Sequence, residues 1–76
     1  MIEELNRVVL TTDLPNYGLQ RGDVGTVVLV HRGGKGYEVE FTTLAGDTLA
    51  VASLHAEHVR PVSNREVSHA RVVEAA

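Results

Sequence analysis

Short β-branched runs punctuated by glycine clusters constrain this chain more than any other feature. The run "VGTVVLVH" (Val24–His31) leads into the glycine-rich stretch "RGGKG" (residues 32–36), and that leads into "YEVEFT" (residues 37–42). In the last run Tyr37, Val39 and Phe41 alternate with Glu38, Glu40 and Thr42. A period of two sends the two sets to opposite faces, which marks a half-buried strand. The apolar run from Val27 to Val30 is nearly continuous, as expected where both faces of a strand contact protein. The glycine cluster between the two strands reads as a hairpin turn.

The same grain continues on either side. Residues 7–12, "RVVLTT", read as a short strand. Residues 13–23, "DLPNYGLQRGD", read as a long ordered loop, because Asp, Pro, Asn and Gly favour turns. Its apolar residues Leu14, Tyr17 and Leu19 are expected to fold back on the core. "LAGD" (residues 44–47) is a second tight turn, and residues 48–53, "TLAVAS", are a fourth strand with Leu49 and Val51 on one face. "LHAEH" (residues 54–58) suits one 3₁₀ turn. "VRPV" (residues 59–62) is a last short strand, which Pro61 confines to an edge or a closure. This order resembles the SH3-like barrel, so the expected fold is all-β: a small five-stranded barrel over residues 1–62 with a C-terminal tail over 63–76. In the tail, Ser63 followed by Glu66 is a capping-box pattern, with Val67, Ala70 and Val73 on one helical face. A short helix or a loose segment is expected there, since so few turns are marginal alone.

Length and composition bound the function. The chain's 76 residues leave room for one domain, and a domain of this size has a thin stability margin. It has no cysteine, which excludes disulfides and thiolate metal sites and suits a cytoplasmic protein. The start, "MIEELNR", lacks the basic and apolar regions of a signal peptide, and no apolar run approaches the roughly 20 residues of a membrane helix. Ten acidic residues against seven basic ones give a net charge of −3, which argues against nucleic-acid binding. The three aromatics, Tyr17, Tyr37 and Phe41, are too few for a base-stacking platform.

A closer likeness runs through "LTTDLP", "GLQRGDVGTVV", "YEVEF" and "VRPV". The residues that carry it are Asp13, Leu14, Pro15, Gly18, Leu19, Gly22, Asp23, Gly25, Thr26 and Val27, then Glu38, Val39, Phe41, Arg60 and Pro61. On these the chain resembles a small bacterial family known as domain of unknown function 4926. The resemblance implies a fold and a bacterial origin. It also implies a small accessory or partner protein, of the antitoxin or immunity type.

The motifs that suggest chemistry each have a plainer reading. Gly18, Gly22 and Gly25 are not spaced as a dinucleotide loop, and a strand rather than a helix follows them, so no helix N-terminus faces an anion. "RGGKG" lacks the Ser or Thr that follows the lysine of a P-loop. His55 and His58 can face one ion from a 3₁₀ turn, but no third ligand is indicated, and His31 and His69 are unanchored. Asp13 and Asp23 are expected to accept backbone N–H bonds within the loop. Glu38 and Glu40 read as a solvated face, with Arg60 as a cross-strand partner for one of them. No serine or cysteine nucleophile is set beside a base.

The expected function is therefore non-enzymatic binding of another protein, with no metal or other cofactor. The expected contact surface combines the long loop (Tyr17, Leu19, Arg21), the hairpin (Arg32, Lys35) and the 3₁₀ turn (His55, His58). Tyrosine and arginine are the usual anchors of such surfaces. The alternative is RNA binding of the KOW type, because Gly22–Val27 resembles the G-x-x-G-x-V turn of ribosome-associated SH3-like domains. Self-association through an edge strand or the tail is a further option.

Overall fold

The computed structural model describes residues 1–73. Residues 74–76 of the expected tail lie outside the described residues. The strands are β1 (Arg7–Leu10), β2 (Val24–His31), β3 (Gly36–Thr42), β4 (Thr48–His55) and β5 (Val59–Pro61). Three 3₁₀ turns, Pro15–Tyr17, Arg32–Gly34 and Ala56–His58, sit between them. All five strands join one antiparallel sheet in the order β4-β3-β2-β1-β5. The fold is all-β and five-stranded, as expected, but the sheet is not closed, so "barrel" is only a loose description. β4 and β5 are its two edges, and among the described residues no ladder joins them. β5 has three residues, one of them a proline without an N–H, which is too little to complete a second ladder.

The core lies on one face. β3 turns Tyr37, Val39 and Phe41 inward, all buried, opposite Leu54, Ala52 and Ala50 of β4. Val39 and Phe41 thus each meet an alanine, the pairing of large with small that lets a layer interdigitate. Val8 and Leu10 of β1, Val27 of β2 and Val59 of β5 complete it, with Leu19 inserted from the long loop. Gly25 shows how tightly this layer is filled. A Cβ there would lie 2.5 Å from Val39 Cγ1 and 2.8 Å from Phe41 Cε1, so the Phe41 ring occupies the space that a side chain would need. The glycine of "GDVGTVV" is a packing requirement.

Several boundaries differ from the sequence reading. β1 ends at Leu10, although Thr11 N–H still donates to His58 O at 2.9 Å, in register with the β1–β5 pairs. β4 runs on to His55, and the 3₁₀ turn shrinks to Ala56–His58. The Val27–Val30 run is not buried on both faces. A bulge falls between Val27 and Leu29, and Val28 and Leu29 are 40% and 46% exposed. One extra residue flips the alternation, so this apolar run reaches solvent. The Leu49 and Val51 face of β4 is likewise outward.

The tail is not helical among the described residues. Half of the capping box does form: Ser63 N–H donates to Glu66 Oε1 at 2.7 Å. The Ser63 hydroxyl, however, accepts from Arg65 N–H at 3.1 Å, and Arg60 takes the Glu66 carboxylate through two hydrogen bonds of 2.9 and 2.6 Å. Arg60 therefore pairs with Glu66 and not with Glu38 or Glu40. Farther on, Arg71 binds both carboxylate oxygens of Asp23, at 2.8 and 2.6 Å. Two ion pairs thus tie an irregular segment to β5 and to the long loop.

Candidate functional site

The long loop is held shut by its own polar groups. Asp13 Oδ1 accepts Arg21 N–H and Asp23 Oδ2 accepts Gln20 N–H, each at 2.8 Å, the backbone-capping roles expected of both aspartates. Pro15 starts the 3₁₀ turn, Gly18 ends it with φ +70°, and Leu14 and Leu19 exchange backbone hydrogen bonds of 2.9 and 3.1 Å. This closure drives Leu19 into the core, where it is 3% exposed. Leu19 is therefore not part of a contact surface: it anchors the loop. Tyr17, 45% exposed, and Arg21 remain on the outside of the loop.

The hairpin end of the sheet is where the sequence-predicted residues gather. Arg32, Lys35 and His55 line one shallow cavity of about 330 Å³ together with His31 and Ser53. His58 adjoins it, its ring meeting that of His55 edge-on with centroids 5.7 Å apart. Tyr17 and Arg21 are not among the lining residues, so this cavity gathers only part of the expected set. Ala56 N–H donates to Lys35 O at 3.1 Å, which fixes the 3₁₀ turn against the hairpin. Arg32 is held at φ +22°, a backbone region that side chains other than glycine avoid. Among the described residues, neither Arg32 nor Lys35 has an ion-pair partner.

Sequence reasoning missed the polar cluster on the adjoining outer face. His31 Nε2 lies 2.6 Å from Glu38 Oε2, and the Ser53 hydroxyl donates to the same oxygen. These hydrogen bonds, Ser53's first and then His31's, hold the Glu38 carboxyl below its ordinary value against a smaller opposing effect of burial. The signal lay in register: Glu38 pairs with Ser53 on β4, and His31 is its diagonal neighbour across the hairpin. The cluster has serine, histidine and glutamate, but not in catalytic order. A nucleophilic serine donates to a base that a carboxylate orients, whereas here serine and histidine both bind the carboxylate. Among the described residues, no group of three potential metal-ligating side chains gathers, so His55 and His58 have no third partner.

A wider groove of about 710 Å³ runs between the tail (Ser68, His69, Ala70, Arg71) and the sheet near Asp23, Val24 and Thr26. Burial alone would raise the Asp23 carboxyl, but the Arg71 guanidinium and the Gln20 N–H outweigh it and hold it below its ordinary value. The groove's Asp23 and Arg71 satisfy each other, while Arg32 and Lys35 of the hairpin cavity have no ion-pair partner among the described residues. The hairpin cavity is thus the better candidate although it is smaller. Among the described residues, no helix is long and apolar enough to cross a membrane. No curated protein and no solved structure matches the chain. A family model does match it, over residues 4–61. That span holds all five strands, the loop that Leu19 anchors and the whole hairpin cavity, and the chain accordingly belongs to the family described as Domain of unknown function (DUF4926).

Proposed function

We propose that this chain is a non-enzymatic binding module that seats an acidic segment of another protein at the hairpin end of its sheet. The observation that carries the reading is Arg32. Its backbone sits in a conformation that glycine adopts freely and arginine does not, at the rim of a cavity shared with Lys35 and His55. A strained residue is a reason to look for function, and here the strain presents a guanidinium with no ion-pair partner among the described residues, in a chain of net charge −3. Arginine suits this role because its planar fork meets carboxylates two bonds at a time. The hydrogen bonds at Glu38 support the non-enzymatic part, since Ser53 and His31 both bind one carboxylate oxygen and not each other, unlike a serine–histidine–carboxylate relay. Such a module serves as an accessory subunit; an antitoxin or immunity role is the same chemistry with a toxin as the acidic partner. The lack of cysteine suits a bacterial cytoplasm.

The test is capture from host lysate by the wild-type chain and by an Arg32→Ala/Lys35→Ala double variant, with and without RNase. The reading expects a protein retained by the wild type, indifferent to RNase and lost from the double variant. Equal retention by both chains would remove the hairpin from the site. Retention that disappears with RNase and falls steeply with salt would replace the protein partner with RNA.

A further inference from the structure

The two edges of the sheet are built differently. β5 is three residues long, carries Arg60 and Pro61, and is bound by the tail through Glu66. Short length, charge and proline are the usual means of keeping a sheet edge from pairing. β4 has none of them. Its eight residues, "TLAVASLH", contain no Lys, Arg, Asp, Glu or Pro, and it pairs with β3 on one side only.

The open side of β4 can be read from one hydrogen bond. Ala56 N–H points at Lys35 O, beside the Gly36–His55 pair. Backbone groups alternate sides along an antiparallel strand, so those of Leu54, Ala52 and Ala50 face β3. Those of His55, Ser53 and Val51 face away from it. Toward the start of the strand the register shifts opposite Phe41 and Thr42, which ends the regular stretch at Leu49. The side chains of Val51, Ser53 and His55 are all exposed on the outer face, and Val51 is 50% exposed.

We infer that β4 pairs with β4 of a second copy of this chain, antiparallel across a two-fold axis at Ser53. This is the register that uses every open backbone group on both strands. Ser53 meets the partner's Ser53, and Val51 meets the partner's His55. Each such pair exchanges two N–H···O bonds, and the two sheets become one. A second copy is the occupant because the edge is uncharged and therefore meets itself without repulsion, despite the net charge of −3 on each chain. β4 itself offers an acidic or basic segment no Lys, Arg, Asp or Glu as a counter-charge; the nearby cations, Arg32 and Lys35, belong to the hairpin. The arrangement also places the two hairpin cavities beside the axis, since Ser53 and His55 line both the edge and the cavity. The inference is independent of what those cavities bind.

Sedimentation equilibrium across a concentration series into the millimolar range is the test, with amide hydrogen exchange at low and high concentration. The wild type is expected to dimerise, with the Val51, Ser53 and His55 amides exchanging more slowly as dimer accumulates. Val51→Lys adds the charge that edges normally carry, and Ser53→Pro deletes an N–H that faces away from β3. Each is expected to weaken self-association by about tenfold or more while retaining the circular dichroism of the sheet. A monomeric wild type throughout the series would overturn the inference. So would a dimer whose β4 amides gain no protection, whatever the folding of the variants.

Discussion

Gly25 has no room for a side chain, and the atoms that exclude one belong to Val39 and Phe41 on the strand β3. Gly25→Ala must therefore displace an aromatic ring in a filled core, at a cost of about 1–3 kcal/mol. Urea unfolding of the variant measures it, and a midpoint equal to the wild type's would mean that the ring moves freely. That this glycine serves a strand and not an anion was legible from the β-branched run after it. What fills its space was not, because Phe41 reaches it only through the β2–β3 register. The Val27–Val30 run failed for a related reason. One inserted residue at Val28 reverses the faces of all that follow, and a bulge of one residue leaves no trace in composition.

The capping box in the tail was legible as a motif but not as an element. Glu66 does receive the Ser63 N–H, yet the fork of Arg60 claims the same carboxylate and fixes a turn before a helix can begin. A short segment containing Val67, Val72 and Val73 has little helical propensity with which to resist. The hydrogen bonds from Arg60, then from Ser63, hold the Glu66 carboxyl from 4.5 down to about 2. A depressed carboxylate pKa means that the tie is complete above pH 4.5 and is lost as pH falls toward about 2. Followed by NMR, the Glu66 side chain and the Ser63 amide should titrate together near the lower value. Arg60→Ala should move that midpoint upward, and a wild-type midpoint at 4.5 would mean that the clasp does not form in solution.

At the scale of the whole molecule, the decisive fact is how little core there is. The buried apolar side chains other than Val9 form one cluster, and a chain this small is expected to have a margin of only about 3–5 kcal/mol. The strands, their alternation and the edge position of Pro61 were legible because each depends on neighbours in sequence. The open gap between β4 and β5 was not, since it depends on where the Ala56–His58 turn carries the chain. Nor was the different fate of two apolar residues in the same loop: Leu19 is 3% exposed and Tyr17 is 45% exposed. The difference follows from the backbone bonds that pair Leu14 with Leu19 and turn Leu19 inward. Leu19→Ala should then cost about 2–5 kcal/mol, which is comparable with the whole margin, and leave a substantial unfolded fraction at room temperature. Tyr17→Ala should change stability by no more than about 0.5 kcal/mol. Paired urea melts decide the matter: equal losses from the two variants would mean that the loop is not closed by Leu19, and a large loss from Leu19→Ala alone would identify it as the residue that joins the loop to the sheet.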